Sequence, residues 1–276
     1  MKVIFGSVVY RAALEYLGDF LDSLDGQTFQ EFEVLLVNDD LEDETLGEHV
    51  RKCANLSKKT TILKADEGQA IPLLRIHLLK EAKKRGGTLL ILGDCDDFFS
   101  KDRVASAVWG YEPGFSFFYN EILNLEGQAV MPPMPGATES VRDIGECNYL
   151  GFTNTAVNLD KLDVAFLDSL REGKTNVFDW YFFSRLLLAG GRGKYLCRGK
   201  SYYRTHERNL AGEARNTEEA RSRELQVKVE HYALLKKDSP YFEGLLADYS
   251  AGNVETRSDG QELQKYYWWG LTERRG

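Results

Sequence analysis

The sequence has little of what builds cross-linked or membrane-embedded proteins. Its four cysteines, among 276 residues, show no Cys-x-x-Cys spacing, so neither a zinc site nor a disulfide framework is indicated. A reducing compartment is the default interpretation. No apolar run approaches the roughly 20 residues of a membrane-spanning helix. The first ten residues are too short for a secretory signal and predict a strand instead. A soluble, cytoplasmic protein is expected, with peripheral contact at the inner face of a membrane left open.

Positive charge is also scarce. The chain carries 35 Lys and Arg against 43 Asp and Glu, which gives a formal net charge of -8 at pH 7. Nucleic-acid binding needs clustered basic side chains against the phosphates, so no nucleic-acid partner is expected. An anionic substrate held through a metal ion stays compatible with this charge. The length is sufficient to bury one large core, or one domain with an appendage.

The most informative segment is an apolar run that leads into three closely spaced acids. Residues 89–92 are all apolar, which is typical of a strand buried on both faces of a parallel sheet, and Asp94, Asp96 and Asp97 follow. Carboxylates crowded at the end of a buried strand repel one another and cost desolvation energy, so a neutralising partner is expected. Hard oxygen ligands suit Mg²⁺ or Mn²⁺, which usually share their coordination shell with substrate phosphates. A solvated acidic turn before the next helix is the alternative.

Strand and helix signals alternate through the first half of the chain. The predicted strands cover residues 3–9, 32–37, 60–64 and 88–92. This rhythm implies a parallel, right-handed, helix-covered sheet. Ligands in such sheets bind beyond the carboxyl ends of the strands. Asp39, which follows the second strand, and Asp94 should therefore face one crevice.

The second half has weaker signals. Residues 115–130 predict paired extended segments, and residues 131–148, with three prolines in four positions, predict a mobile loop over the site. Helices are predicted near residues 161–170, 178–189 and 213–237, and short strands at 194–197 and 200–203. The chain is thereby divided into a catalytic domain at 1–212 and a helical C-terminal extension at 213–276.

Short motifs follow in one order along residues 3–209. They are Leu21-Asp-Ser-Leu24 with Gln27-Thr28, Val37-Asn-Asp39, Arg75, Asp94-Cys-Asp-Asp97, Phe178-Asp-Trp180 with Gly190-Gly191, and Tyr203-Arg-Thr-His206 with Asn209. Together they resemble the family 2 glycosyltransferases, inverting enzymes of the nucleotide-diphospho-sugar transferase (GT-A) fold. The resemblance covers about three quarters of the chain. It implies an α/β fold with a single mostly parallel, mixed sheet covered by helices on both faces, Rossmann-like, and a helical C-terminal extension.

The resemblance also implies a reaction and its central residues. A sugar would move from a nucleotide-diphosphate donor, commonly a UDP-sugar in this family, to a hydroxyl of a glycan or lipid-linked acceptor. Asp96 and Asp97 would hold Mn²⁺ or Mg²⁺, with His206 as a third ligand, and which of the two acids ligates the ion stays open. The metal would clamp both phosphates as a Lewis acid. Asp179 is the candidate general base, and an aspartate that stabilises a helix N-terminus is its alternative.

The other site residues are assigned to the donor. Asp39 would accept from the base or a ribose hydroxyl, Asp94 would approach the ribose, and Tyr10 or Phe5 would pack on the ring. Arg75 and Arg204 would contact phosphate bidentately. The alternatives are a turn aspartate for Asp39 and surface salt bridges for the two arginines.

The chain departs from the family pattern in several places. Ser7–Arg11 replaces the usual P-x-Y-N, Asp39-Asp-Leu41 replaces an acid-glycine-serine turn, and Phe178 replaces a glutamate. The absence of the Q-x-x-R-W motif of processive synthases favours a single-transfer enzyme. A nucleotidyltransferase of similar fold is the first alternative, although residues 6–11 are not a glycine-rich basic phosphate loop. A non-catalytic sugar-nucleotide-binding module is the second. Homodimerisation and the role of the aromatic residues at 266–269 stay open.

Overall fold

A computed structural model describes residues 1–66, 68–131, 133–170, 175–205, 217–257 and 269–275. Its strands are β1 (Val3–Val9), β2 (Glu33–Asn38), β3 (Thr60–Lys64), β4 (Leu89–Leu92), β5 (Phe98–Phe99), β6 (Phe117–Leu123), β7 (Ala137–Thr138), β8 (Thr155–Asn158), β9 (Gly193–Tyr202), β10 (Val254–Thr256) and β11 (Thr272–Arg274). Its α-helices are α1 (Leu17–Asp25), α2 (Asp43–Lys52), α3 (Ile71–Lys84), α4 (Arg103–Trp109), α5 (Val164–Ser169), α6 (Phe178–Leu188), α7 (Glu218–Leu235) and α8 (Pro240–Ala251).

One mixed sheet of nine strands organises these elements. The strand order is β3-β2-β1-β4-β8-β6-β9-β5, and β7 pairs with β9. Strands β1 to β4 are mutually parallel, as the alternation of strands and helices predicts. Strand β8 runs antiparallel to both β4 and β6, which makes the sheet mixed. The predicted fold class is confirmed, and β4 lies between two neighbours at the centre of the sheet.

The two faces of the sheet bury two separate apolar clusters. Along β4, Leu89 and Ile91 belong to one cluster, and Leu90 and Leu92 belong to the other. Successive side chains of a strand point to opposite faces, so a strand covered on both sides needs apolar residues at every position. This explains why the run before Asp94 has no polar residue.

The C-terminal helices pack into one of these clusters. Tyr232 of α7 and Phe242 of α8 join the cluster that contains Leu90, Leu92 and Trp180. The predicted domain boundary falls within 206–216, outside the described residues, and the residues on its two sides share one apolar core.

A buried ion pair fixes β11 to α7. Lys228 Nζ lies 3.0 Å from Glu224 Oε1, and the two side chains are 0% and 3% exposed. Glu224 accepts hydrogen bonds from the backbone N–H groups of Leu271 (2.9 Å) and Thr272 (2.8 Å). Lys228 donates to the carbonyl oxygen of Thr272 at 2.6 Å. The pair therefore holds a short strand that has few backbone partners of its own.

Two expectations for the middle of the chain are revised. The two short strands predicted at 194–197 and 200–203 form the single strand β9, whose pairing with β6 shifts register beside Gly199, a residue with φ +71°. The segment predicted as a mobile loop contains β7 and a 3-10 turn at Val141–Asp143 that Ser140 caps. Ile144 is fully buried after this turn.

Within the described ranges, no helix combines the length and apolar character needed to cross a bilayer.

Candidate active site

The acidic motif begins where β4 ends, and its side chains alternate in exposure. Asp94 and Asp96 are partly exposed, whereas Cys95 and Asp97 are buried. A turn closed by the Asp97 N–H and the Asp94 carbonyl oxygen, 3.2 Å apart, carries the chain out of the sheet. Gly93, directly before this turn, is closely packed, since a Cβ atom there would lie 2.5 Å from the Phe99 ring. The turn thus presents two carboxylates and turns a third inward.

Asp94 is paired with Arg75. The Nη2 of Arg75, from α3, lies 3.1 Å from Asp94 Oδ1, and its guanidinium lies over the Phe152 ring at 4.6 Å from the centroid. Burial raises the pKa of Asp94 to about 6; Arg75 acts against this rise, and the charges of Asp96 and Asp179 add to it. Arg75 was predicted to contact phosphate, and in this structure its partner is a carboxylate of the motif.

Asp96 is held from the end of β1. The Tyr10 hydroxyl donates to Asp96 Oδ2 at 2.9 Å. Burial and the neighbouring charge of Asp96 raise the pKa of Tyr10, so the phenol stays protonated and remains a donor. The residue predicted to pack on the nucleoside ring has its hydroxyl on the acidic motif.

Asp97 is the inward-facing acid, with an exposure of 1%. Its Oδ2 accepts from the Thr153 hydroxyl, and its Oδ1 accepts from the Arg204 backbone N–H at 2.9 Å. Burial, followed by the charges of Asp96 and Asp94, raises its pKa well above the usual value. Both oxygens of this carboxyl therefore connect the motif to other parts of the fold.

Asp179 lies in the first turn of α6. The backbone N–H of Trp180 donates to its Oδ1 at 2.8 Å. Burial raises the pKa of Asp179, and the positive charge of Arg75 lowers it. Phe178, which stands where the family has a glutamate, is buried and packs edge-on against Phe152. Arg75 thus acts electrostatically on two carboxylates, Asp94 and Asp179.

The nucleoside-side candidate Asp39 lies at the end of β2. Its backbone N–H donates to the Val9 carbonyl oxygen at 2.9 Å, and the residue is partly exposed. Burial and the charge of Asp40 raise the pKa of Asp39. Asp40 is tied to the backbone of Arg11, which connects the ends of β1 and β2.

Arg204 directs its guanidinium to the α1 side of the site. It pairs with Asp19 and lies over the rings of Tyr16 and Phe98, at 4.9 Å and 5.4 Å from their centroids. Its backbone N–H contacts the acidic motif at Asp97. His206, the predicted third metal ligand, lies outside the described residues.

The donor set fits a hard cation that is shared with a substrate. In the part of the chain that the structure describes, no three His, Cys, Asp or Glu side chains converge as a metal site. Mg²⁺ and Mn²⁺ are usually held by one or two carboxylates together with substrate phosphates and water. Asp96, partly exposed and oriented by Tyr10, satisfies the protein's share of such a site.

Sequence reasoning missed two residues of the site, Phe152 and Thr153. The Arg75 guanidinium lies over the Phe152 ring, and the Thr153 hydroxyl donates a hydrogen bond to Asp97. The local signal is a run of polar side chains at 153–155 that leads into the buried strand β8.

The chain is similar to known proteins in part of its sequence and in its fold. Residues 7–112 match the family model described as glycosyl transferase family 2. No curated protein matches the chain. Among solved structures, S. aureus TarS 1-349 in complex with UDP-GlcNAc has a TM-score of 0.61 and 20% identity, covering 91% of this chain and 72% of that one. The same protein with UDP has a TM-score of 0.62 and 20% identity, with 91% and 71% covered.

A second solved protein has the same fold. The mannosyltransferase PcManGT from Pyrobaculum calidifontis, in complex with GDP-Man and Mn²⁺, has a TM-score of 0.56 and 16% identity, covering 96% of this chain and 72% of that one. The matched family segment contains Asp39, Arg75 and the acidic motif. The chain therefore matches the glycosyl transferase family 2 model over residues 7–112 and shares its fold with these solved glycosyltransferases along most of its length.

Proposed function

We propose that this protein is a metal-dependent, inverting glycosyltransferase that moves a sugar from a UDP-sugar to a hydroxyl of a glycan or lipid-linked acceptor. The observation that carries the proposal is the arrangement of carboxylates at the carboxyl end of the sheet. The Tyr10 hydroxyl, a neutral donor, binds Asp96, and the positive charge of Arg75 acts on both Asp94 and Asp179. Peripheral membrane contact and homodimerisation stay predictions.

Asp96 is the proposed metal ligand of the chain. Its carboxylate is partly exposed, and Tyr10 fixes its orientation. Asp97 is assigned a supporting role instead, because both of its oxygens accept hydrogen bonds from the protein. When bound, Mn²⁺ or Mg²⁺ would neutralise the diphosphate as the sugar-phosphate bond breaks. His206 stays a predicted ligand.

Asp179 is the proposed general base. It would take the proton of the acceptor hydroxyl while that oxygen bonds to the anomeric carbon and the bond to the diphosphate oxygen breaks. Its raised pKa suits this work, because a base is more effective as its pKa approaches the working pH. The Trp180 N–H keeps the carboxylate in one orientation. A single displacement of this kind inverts the configuration at the anomeric carbon.

The donor contacts are proposed with one revision. Asp39, at the end of β2, would accept from the base or a ribose hydroxyl, and Asp94 would approach the ribose. Arg75 would orient Asp94 through the 3.1 Å ion pair, rather than serve primarily as a phosphate ligand. The phosphate contact predicted for Arg204 stays a prediction, since its guanidinium pairs with Asp19.

Thermal unfolding with Mn²⁺ and nucleotide tests the metal site. We expect Mn²⁺ to raise the melting temperature strongly only when UDP is present, and Asp96→Asn to remove that rise. The matched control is Asp160→Asn, which changes an exposed aspartate at the opposite end of the sheet from the acidic motif. Asp160 lies there because it follows Asn158, which pairs with Leu89 at the start of β4. An undiminished Mn²⁺–UDP effect in Asp96→Asn would contradict the assignment. A larger effect with GDP than with UDP would overturn the choice of base.

Turnover tests the base. Release of UDP from a panel of UDP-sugars, with water or glycan acceptors, should fall about 10²–10⁴-fold in Asp179→Asn. Binding of Mn²⁺ and UDP should be retained in that variant. Full turnover in Asp179→Asn would refute the base assignment, and release of pyrophosphate from a nucleoside triphosphate and a sugar phosphate would favour a nucleotidyltransferase.

A further inference from the structure

Trp180 is anchored at two points by parts of the fold outside α6. Its side chain is fully buried. The indole Nε1–H donates to the Ile144 carbonyl oxygen at 2.7 Å. The ring stacks on His231 of α7, with the centroids 4.2 Å apart and an interplanar angle of 22°. An aromatic residue held by both an edge hydrogen bond and a face contact has little freedom to rotate.

The same residue supplies the hydrogen bond to Asp179. The backbone N–H of Trp180 lies 2.8 Å from Asp179 Oδ1, in the first turn of α6. A displacement of the Trp180 side chain therefore moves the amide that orients this carboxylate. The anchoring of Trp180 and the geometry of Asp179 are coupled through one residue.

His231 is suited to packing rather than to proton transfer. Its side chain is 0% exposed, and burial lowers its pKa to about 3, so the ring is neutral at physiological pH. Its Nε2 lies 3.4 Å from the Ser184 hydroxyl, and its Nδ1 has no hydrogen-bond partner among the residues that the structure describes. The stacking of the flat, uncharged imidazole face on Trp180 is therefore the main contact of this side chain.

The next residue of α7 supports the other anchor. Tyr232 donates its hydroxyl to the Gly145 carbonyl oxygen at 3.0 Å, one residue after the Ile144 carbonyl that receives the indole N–H. The helix α7 thus contacts Trp180 directly and also fixes the segment that binds its other edge.

We propose that His231 is a positioning residue for the glycosyl transfer, acting through Trp180 on the carboxylate of Asp179. The inference rests on the proposed role of Asp179 as the base. It assigns part of α7, within the predicted C-terminal extension, to the machinery that sets the geometry of the reaction.

Steady-state kinetics of the full chain test this proposal. His231→Ala should lower kcat about 10–100-fold, because small misplacements of a reacting group carry costs of that order. The KM for the UDP-sugar should stay within about 3-fold, since His231 acts on the base rather than on the donor. His231→Phe, which restores a flat ring, should recover most of kcat. Leu245→Ala is the control, because it removes a fully buried side chain of α8 from the same core.

A double variant separates positioning from loss of packing. In the Asp179→Asn background, His231→Ala should cause almost no further loss of kcat, since its effect passes through the removed carboxylate. Multiplicative losses would overturn the proposal, as would equal losses of kcat in His231→Ala and Leu245→Ala. If His231→Ala does not fold, His231→Leu replaces it, keeping bulk without a flat ring, and unchanged kcat in that variant overturns the proposal.

The outcome also tells the two proposals apart. Full activity in Asp179→Asn removes the premise and refutes the base assignment itself. An inactive Asp179→Asn beside a fully active His231→Ala refutes only the positioning role.

Discussion

The buried pair of Glu224 and Lys228 gives the sharpest prediction about stability. Its side chains are 3% and 0% exposed, and Glu224 also accepts from the N–H groups of Leu271 and Thr272 and from the Thr272 hydroxyl. Glu224→Leu removes all of these acceptor contacts at once. It also leaves the Lys228 ammonium buried without its carboxylate.

The expected cost can be worked from this geometry. Breaking a buried ion pair on one side typically destabilises a protein by about 3–5 kcal/mol. Burial already lowers the pKa of Lys228, and Glu224 opposes that effect, so its loss pushes Lys228 further towards the neutral form. Adding Lys228→Met removes the stranded charge. The double variant should therefore be more stable than Glu224→Leu by about 2 kcal/mol, while the unpaired amides of Leu271 and Thr272 keep it below the wild type.

Urea unfolding followed by tryptophan fluorescence, arranged as a double-mutant cycle, measures this coupling. The control cycle uses the pair of Glu81 and Lys84, in which the lysine is 77% exposed, and should give less than about 1 kcal/mol. A Glu224→Leu variant that unfolds within about 1 kcal/mol of the wild type would refute this reasoning. So would a coupling no larger than that of the exposed pair.

Three further predictions follow from other parts of the structure. Burial lowers the pKa of His231 from 6.5 to about 3, so unfolding takes up a proton below about pH 6.5 and stability falls as the pH falls. His231→Phe removes this dependence on pH. When the pH is lowered from 7 to 5.5, the free energy of unfolding of His231→Phe, measured in urea, should rise by about 1 kcal/mol relative to that of the wild type. A difference between the two proteins that stays constant with pH would contradict the reasoning. Gly145→Ala places a Cβ atom 2.2 Å from the Tyr241 hydroxyl, so it should lower the stability by about 1–3 kcal/mol in thermal unfolding. Adding Tyr241→Ala should recover part of that stability, and an unchanged melting temperature in Gly145→Ala would argue against a tight contact. Arg75→Gln removes the cation that lowers the pKa of Asp179, so the acidic limb of the plot of kcat/KM against pH should move to higher pH. An acidic limb at the same pH as in the wild type would show that Arg75 does not set the pKa of the base.

The parts of the fold that the sequence predicts well depend on local patterns. The continuous apolar run of β4 and the period of two along a strand suffice to expect a buried central strand with Asp94 and Asp96 on one side. The same patterns do not separate Asp96 from Asp97 as a metal ligand. The assignment proposed here depends on Thr153 and Arg204, which are 56 and 107 residues away from Asp97 along the chain.

The C-terminal part combines a helix with local sequence signals and a strand without them. The helix α8 has clear end signals in its sequence, with Ser239 as the N-cap, Pro240 in the first turn and Gly252 at φ +74° as the C-cap. The strand β11 has only three residues, and its partners Glu224 and Glu146 are distant in sequence. No short-range pattern carries that information.

The contact between Glu146 and Arg274, 128 residues apart, has a consequence for the order of assembly. The parallel half of the sheet joins neighbouring segments and can form early, whereas closing so large a loop carries a greater entropic cost and slows folding. Catalytic competence should therefore return after most of the far-ultraviolet dichroism when the denatured chain is diluted into buffer.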